Sequence, residues 1–398
     1  MRVTVKTTIA MMAAFFLTAC GGGSGGSSSA GNNVPVTVPA KTVQAGYYFL
    51  LVRDRNGTVF ATGSNDKGQL GHTTPYSIVT VPEKIPGLSD IVLMDAGDYH
   101  TLAVDLNGRV HAFGSNEQGA LGTGDTREHN GTVVIGGLPK AKDVAAGMQT
   151  SYVLAENGEV YAFGDNRYGQ LGQGGTDHAA HPVPAKMTLP ASTVSVIANG
   201  FAALFIDDNG SVYGIGDNGW GKMGTISARG TAVKIPGLEH IVSASLGASH
   251  ALYLDGSGTV YSMGRFTHGQ LGVEITGQHS FEFENTPQKI SGVPKIVMVS
   301  AGENFSMLLD ENGRVWTFGD NSHGQLGQGD RVQRRLPKRI DALRDITVIH
   351  AGPGSAFAVD RKGVVYSWGF GGEGILGNGD TTDLLSPKAV DGVRCAVR

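Results

Sequence analysis

The stretch AGDYHTLAVDLNGRVHAFGSNEQGALG, residues 96–122, contains the pattern that predicts the fold. Leu102 and Val104 alternate with other residues before the pair Asn107-Gly108, and apolar residues alternate again after it. Alternation on both sides of an Asn-Gly pair is typical of two antiparallel strands joined by a tight turn. The stretch therefore predicts a β-hairpin followed by a glycine-rich turn.

The glycine-rich turn recurs seven times, and its copies are spaced 48 to 55 residues apart. The copies are GSNDKGQLG from Gly63, GSNEQGALG from Gly114, GDNRYGQLG from Gly164, GDNGWGKMG from Gly216, GRFTHGQLG from Gly264, GDNSHGQLG from Gly319 and GFGGEGILG from Gly369. Self-similarity at this period is the signature of a repeat architecture. Each repeat is then one structural unit that packs against its neighbours.

Each unit contains about four short strands, because the segment VPEKIPGLSDIVLMDAG (81–97) adds two strands to the hairpin. Seven such units predict an all-β, seven-bladed β-propeller with four-stranded blades, a ring in which every blade is covered by two neighbours. The last unit stops at SPKAVDGV (386–393), whereas the first begins with the spare strand TVQAG (42–46). We therefore expect the N-terminal strand to complete the last blade and close the ring.

The fourth copy, GDNGWGKMG (216–224), also matches the spacing of a phosphate-binding loop that ends in Lys222. That loop needs a hydroxyl after the lysine to hold magnesium, and this chain has Met223 there. Seven phosphate loops in register are also implausible. The stretch is predicted to be a structural turn, and no cofactor is expected.

Composition and the remaining polar motifs argue against nucleic-acid and metal binding. The 398 residues include 35 acidic and 31 basic side chains, so nucleic acid is not expected as a partner. Asp177, His178 and His181 are the best metal candidates, but their loop spacing is not pre-set for a metal, and we expect none. One acid before each of six hairpin turns is predicted to form the turn. These acids are Asp54, Asp105, Glu156, Asp207, Asp310 and Asp360.

The N-terminal residues predict export and lipid anchoring. Arg2 and Lys6 precede an apolar run that is too short to span a bilayer, so residues 1–19 are interpreted as a signal peptide. The run ends in LTAC (17–20), which resembles the lipobox of bacterial lipoproteins and implies acylation of Cys20. The alternative is an ordinary secretory signal, with Cys20 a free thiol.

Residues 20–33, rich in Gly and Ser, are predicted to form a flexible tether between the lipid anchor and the propeller. Bacterial lipoproteins kept in the inner membrane usually carry Asp after the acylated Cys, and this chain has Gly21. We therefore expect a protein of the cell envelope, bound to the membrane by its lipid and favouring the outer membrane.

Three motifs together resemble the regulator of chromosome condensation repeat: A-G-x-x-H-x-L, N-G-x-V-Y-x-F-G and G-x-N-x-x-G-Q-L-G. The resemblance covers residues 34–398 and implies a seven-bladed propeller. The family histidine is present only as His100 and His250, so any role of this histidine is structural or lost.

The function favoured by the sequence is a non-enzymatic scaffold that binds an unidentified protein partner as a monomer. The two residues after each Ala-Gly, or its equivalent, are expected on one rim of the channel, where aromatic side chains suit an interface. The predicted protein-binding residues are Tyr47, Tyr48, Asp98, Tyr99, Phe201 and Glu303.

Three alternatives stay open at this point. The rim aromatics could fold back over the channel mouth as local core. The family resemblance implies guanine-nucleotide exchange as a second function. An envelope enzyme with its site over the channel is the third, although the rim supplies Asp98 and Glu303 without a repeated acid–base set.

Overall fold

The computed structural model describes residues 41–190, 192–227, 229–275 and 281–395. The predicted signal peptide (1–19), the predicted tether (20–33) and the predicted acylation site at Cys20 lie outside these residues. Within the described ranges, no helix has the length and apolar character needed to cross a membrane.

Seven antiparallel sheets of four consecutive strands follow one another along the described chain. This confirms the predicted seven-bladed propeller. Blade 1 consists of β1 (Val43–Ala45), β2 (Phe49–Arg53), β3 (Val59–Ser64) and β4 (Ile78–Lys84), and blade 2 of β5 (Ile91–Ala96), β6 (His100–Asp105), β7 (Val110–Gly114) and β8 (His129–Val134). Blade 3 consists of β9 (Ala141–Ala146), β10 (Thr150–Ala155), β11 (Val160–Gly164) and β12 (His181–Lys186), and blade 4 of β13 (Thr193–Asn199), β14 (Ala202–Asp207), β15 (Val212–Gly216) and β16 (Val233–Lys234). Blade 5 consists of β17 (Ile241–Leu246), β18 (His250–Asp255), β19 (Val260–Arg265) and β20 (Phe283–Lys289), and blade 6 of β21 (Ile296–Ala301), β22 (Phe305–Asp310), β23 (Val315–Gly319) and β24 (Arg334–Arg339). Blade 7 consists of β25 (Ile346–Ala351), β26 (Ser355–Asp360), β27 (Val364–Gly369) and β28 (Leu384–Arg394), with a short 3₁₀ turn at Gly372–Gly374 between β27 and β28.

The hairpin turns are held by the acid that precedes them. In blade 2, one carboxylate oxygen of Asp105 accepts the backbone N–H groups of Asn107 and Arg109, at 2.9 and 3.0 Å. Gly108 between them has a φ of 77°, which glycine adopts without the strain a side chain would add. The same pair of bonds is made by Asp54, Asp207, Asp310 and Asp360.

The predicted turn role of Glu156 is wrong by one residue. In blade 3 the position of Asp105 belongs to Ala155, whose backbone makes the turn bonds to Gly158 and Glu159. The turn keeps its backbone hydrogen bonds without a carboxylate.

The recurring glycine-rich segment is a turn folded around its asparagine. In the fourth copy the side-chain oxygen of Asn218 accepts the backbone N–H of Met223 at 2.8 Å, and residues 217–227 form turns and loops instead of the helix that a phosphate loop requires. Asparagines of four other copies make the equivalent bond. The structural interpretation of this segment is confirmed.

The hydrophobic core lies between adjacent blades. Phe49 and Leu70 of blade 1 pack with Met94 and Phe113 of blade 2 in one buried cluster. At the interface of blades 6 and 7, buried Trp368 donates its indole N–H to the backbone oxygen of Gln325 at 2.9 Å. Each sheet therefore depends on its neighbours for burial of its apolar faces.

The N-terminal strand takes part in closing the ring, but it does not complete the last blade as predicted. β1 pairs with β2, with Val43 opposite Val52, and the last blade has four strands of its own. Only three residues separate β1 from β2, so the chain turns back onto the strand that directly follows it. Antiparallel strands joined by so short a loop pair with each other.

The two ends of the described chain meet in blade 1. Cys395 forms an isolated bridge with Asp54, and its thiol lies 3.8 Å from the backbone oxygen of Thr42. From the N-terminal side, the backbone N–H of Ala45 donates to the side chain of His350 in blade 7 at 2.9 Å. The ring is closed by packing of blade 7 against blade 1, and both ends of the described chain lie at this interface.

Candidate functional site

The first strands of the seven blades surround a central channel that contains a cavity of about 370 Å³. The loops between the first and second strands of the blades line this cavity at one end. We call this end the channel mouth, and it is formed by Tyr47, Asp98, Met148, Gly200, Ala248, Glu303 and Pro353.

Backbone hydrogen bonds join neighbouring loops at the mouth. Tyr47 donates its backbone N–H to the oxygen of Asp98 at 3.0 Å, and Met148 donates to Gly200 at 2.8 Å. Between blades 6 and 7, Glu303 donates to Pro353 at 3.2 Å. The prediction that these loops share one rim is confirmed.

Blade 4 departs from the predicted alignment by one residue. Ala202 lies opposite Gly216 just as His100 lies opposite Gly114, so Phe201 corresponds to Tyr99 and not to Asp98. The reason is that β13 extends to Asn199, which leaves only two residues before β14. The residue of blade 4 that corresponds to Asp98 is therefore Gly200, and the predicted Phe201 lines the cavity beside it.

Three of the predicted residues form one aromatic cluster at the mouth. The ring of Tyr47 meets that of Tyr48 edge-on at 4.4 Å and lies 6.0 Å from that of Tyr99. Tyr48 is also 6.1 Å from Phe370, which the sequence analysis missed. All three tyrosines are half-buried, so they contribute to local packing and keep part of each ring accessible.

Phe201 lies apart from this cluster. Its ring is 5.1 Å from that of Tyr168, and the guanidinium of Arg167 lies 5.3 Å above it. The structure therefore divides the predicted aromatic set into a cluster at blades 1, 2 and 7 and a separate group at blades 3 and 4.

Two carboxylates face the tyrosine cluster. Asp98 is half-buried, and this burial, together with the charge of Glu303, raises the pKa of its carboxyl to about 6. Burial likewise raises the pKa of Tyr47 to about 12, with smaller contributions from Tyr48 and Glu303. Among the described residues, neither carboxylate has an ion-pair partner. The mouth therefore carries negative charge that this part of the chain does not neutralise.

Away from the mouth the channel wall holds an ion pair that the sequence analysis did not identify. Nζ of Lys41 lies 2.9 Å from Oδ1 of Asp143 and also donates to the backbone oxygen of Val144. Burial opposes the charged form of Lys41, but the charges of Asp143 and Asp95 raise its pKa above the ordinary lysine value. Burial raises the pKa of Asp95 to about 6, although Lys41 acts in the opposite direction.

Three profile matches identify the family of this channel-bearing chain. Residues 141–398 match the profile described as "RCC1-like domain". Two profiles described as "Regulator of chromosome condensation (RCC1) repeat" match 56–104 and 107–154, and 40–69 and 91–120. The chain belongs to the RCC1-like domain family.

Relatives of this RCC1-like propeller include long eukaryotic proteins. The human E3 ubiquitin-protein ligase HERC2 is 28% identical over 303 residues, which are 74% of this chain and 6% of that protein. The mouse regulator of chromosome condensation is 26% identical over 312 residues, covering 70% of this chain and 72% of the relative. The chain thus spans only a small part of HERC2.

Among solved structures, the propeller resembles Prp20p from Saccharomyces cerevisiae. The TM-score is 0.76 at 23% identity, and the match covers 87% of this chain and 88% of Prp20p. At this identity the likeness establishes the fold.

The two histidines of this RCC1-like chain that match the family position are structural. Nε2 of His100 lies 2.9 Å from the hydroxyl of Ser151 in the next blade, and His250 makes the same contact with Ser306 at 2.7 Å. Burial lowers the pKa of His100 to about 4 and of His250 to about 3. Both rings are therefore neutral links between blades.

Lys222, from the copy that resembles a phosphate loop, lines the cavity and is 2% exposed. Its Nζ donates to the backbone oxygen of Ala248 at 3.0 Å, and burial lowers its pKa to about 8 against the charge of Asp217. Most other blades have glutamine here, and that glutamine accepts a backbone N–H of its own turn.

The metal candidate of the sequence analysis forms a local contact. Asp177 accepts from Asn166 at 2.6 Å and contacts Nε2 of His181 at 2.8 Å. In the described ranges, no group of three or more His, Cys, Asp or Glu side chains is arranged to hold a metal ion.

Proposed function

We propose that this RCC1-like propeller is a non-enzymatic protein-binding scaffold of the bacterial cell envelope, and that the partner docks on the channel mouth. The observation that carries the proposal is the half-buried cluster of Tyr47, Tyr48 and Tyr99 beside the carboxylates of Asp98 and Glu303. Rigid aromatic side chains at a partly desolvated centre are the usual anchors of protein interfaces.

The fold supports this assignment because the anchors stand on a rigid frame. Backbone hydrogen bonds join the loops of the mouth, so the partner would meet a preformed surface and little ordering entropy would be lost on binding. Relatives of similar fold bind proteins: Prp20p has binding properties to Gsp1p and histones, and it has been crystallised bound to Kap60.

The groups of the channel wall support a binding role over catalysis. Lys41 is paired with Asp143, Asp95 accepts the backbone N–H of Ala146, and His350 accepts that of Ala45. Side chains that hold neighbouring strands together are not free to transfer protons to a substrate. The envelope location rests on the signal sequence and lipobox-like residues LTAC (17–20).

The test is photo-crosslinking in intact cells. A photo-reactive residue is placed at position 48, the captured protein is identified, and its affinity is measured for the wild type and for Tyr47→Ala, Tyr48→Ala and Tyr99→Ala. Each substitution should weaken binding by about 1 to 4 kcal/mol, as expected of hot-spot residues. Tyr76→Ala is the matched control, because this tyrosine of blade 1 is 75% exposed and does not line the mouth.

The opposite result would identify the cluster as local core. If the three variants lose thermal stability and bind the captured protein as tightly as the wild type, the interface lies on another surface.

A further inference from the structure

The charges that line the channel cavity do not balance. Five acidic side chains and two lysines line it within the described ranges. These are Asp95, Asp98, Asp143, Asp217 and Glu303, with Lys41 and Lys222. Lys41 is paired with Asp143 in the wall, and the charge of Asp217 acts on Lys222. Three carboxylates are therefore left without a lysine of their own: Asp95 in the wall, and Asp98 and Glu303 at the mouth.

The histidine of the cavity does not supply the missing positive charge. Nε2 of His350 accepts the backbone N–H of Ala45 at 2.9 Å, which requires this nitrogen to be unprotonated. Burial also lowers the pKa of His350 to about 4. Two lysines lie near the mouth but are engaged elsewhere: Lys222 donates to the backbone oxygen of Ala248, and Lys67, whose charge acts on Tyr99, pairs with Glu117 and Glu128. Within the described residues neither lysine forms an ion pair with Asp98 or Glu303, so these two carboxylates are available to a cation of a partner.

Two aromatic rings in other blades of this propeller have an arginine stacked on them. Arg265 lies 4.6 Å above the ring of Trp220, and Arg229 lies 5.8 Å above that of Tyr168. Within the described residues no arginine or lysine stacks on Tyr47 or Tyr99. The tyrosines of the mouth thus offer electron-rich faces next to carboxylates, the combination that attracts a cation most strongly.

We propose that the channel mouth binds an arginine side chain of the partner protein, which stacks on the accessible faces of the Tyr47 and Tyr99 pair and pairs with Asp98 and Glu303. This inference rests on the proposed function and specifies the chemistry of the partner. A guanidinium is favoured over an ammonium because it is planar, stacks on aromatic faces and donates in a fork that matches a carboxylate.

The first experiment uses a defined probe on the full mature chain. Binding of N-acetyl-arginine amide is followed by isothermal titration and by NMR, with N-acetyl-citrulline amide as the uncharged probe of the same shape. The arginine probe should bind, and the citrulline probe should bind on the order of tenfold more weakly, the loss expected for a charge-assisted hydrogen bond. Equal binding of the two probes would overturn the proposal.

The second experiment removes the charges and keeps the shape. Asp98→Asn and Glu303→Gln together should weaken the arginine probe and the crosslinked partner, each by tenfold or more. Glu311→Gln is the matched control in the same blade, since this residue is exposed and does not line the cavity. Its binding should equal that of the wild type.

The outcomes separate this inference from the proposed function. If the tyrosine variants lose the partner while the Asp98→Asn/Glu303→Gln variant keeps it, the mouth is an interface but the arginine is refuted. If the charge variant loses the arginine probe and retains the partner at full affinity, the mouth is a site for a free small cation, which also refutes a partner side chain.

Discussion

Replacing Lys41 by Met tests how much the ion pair of the channel wall stabilises the ring. Nζ of Lys41 lies 2.9 Å from Oδ1 of Asp143, and the side chains are 12% and 1% exposed. The substitution leaves Asp143 as a buried carboxylate without its cation. Breaking a buried pair from one side costs about 3 to 5 kcal/mol in the free energy of unfolding.

The structure places the expected cost at the lower end of that range. Asp143 keeps the backbone N–H of Val144 at 2.9 Å and that of Val196 at 3.4 Å, and these two donors partly compensate the carboxylate. We therefore expect a loss of about 3 kcal/mol at pH 7.5. Removing both charged partners should cost less, because no uncompensated charge remains.

The assay is equilibrium unfolding in urea, followed by tryptophan fluorescence, for Lys41→Met, Asp143→Asn and the double variant. Lys142→Met is the matched control, since Lys142 is exposed on the same strand as Asp143, and we expect it to stay within about 0.5 kcal/mol of the wild type. A Lys41→Met variant as stable as this control, or a double variant whose loss equals the sum of the single losses, would refute the argument.

Three further predictions concern the mouth, the ring closure and the anchor. The pKa of Asp98 is raised to about 6, so the folded state binds more protons than the unfolded state between about pH 4 and 6. The wild type therefore gains stability as the pH falls through this range. Asp98→Asn should therefore be more stable than the wild type at pH 7.5, by up to about 3 kcal/mol, and lose this advantage by pH 4 in urea titrations; an advantage that does not change with pH would contradict the assignment. Deleting residues 41–46 removes β1 from blade 1 and should abolish the single cooperative thermal transition, whereas an unchanged calorimetric scan would show that the closing contacts are dispensable. Cys20→Ser should prevent lipid attachment, and a mature wild-type protein whose intact mass includes no acyl chains would rule out lipidation.

The fold could be predicted because its determinants are local and repeated. The Asn-Gly turn, the acid before it and the asparagine of the glycine-rich segment are all within six residues of the backbone groups they bind. Repetition at a constant period then gives the number of blades. The repeat could not indicate which sheet contains the N-terminal strand. The pattern of the repeated unit is the same whether the unit begins at the strand before Ala-Gly or at the hairpin.

The candidate site could be predicted only in part, since its contacts join residues far apart in the chain. Tyr48 and Phe370 belong to the first and last blades, and Lys41 reaches Asp143 across two repeats. Sequence alignment of the repeats also misplaced Phe201, because Asn199 stands where blade 2 has Gly97 and the glycine of blade 4, Gly200, comes one residue later, at the position of Asp98.

The repeat itself contained one indication of the hydrogen bonds in the channel wall. It concerns the residue two positions before the glycine that follows the first strand of each blade. In four blades this residue is polar, and its side chain accepts a backbone N–H from the next blade. The donor is the alanine directly before the corresponding glycine of that blade. The four bonds run from Ala146 to Asp95, from Ala301 to Ser245, from Ala351 to Ser300 and from Ala45 to His350. A polar residue is tolerated at this position in these four blades because the next blade supplies a backbone donor to it. Asp95, Ser245, Ser300 and His350 are therefore alternative acceptors for one repeated N–H. The loop residues that follow, such as Tyr47, Asp98 and Glu303, line the end of the cavity and do not have this role. Because the side chains at the mouth do not have to satisfy this repeated N–H, they are available for recognition.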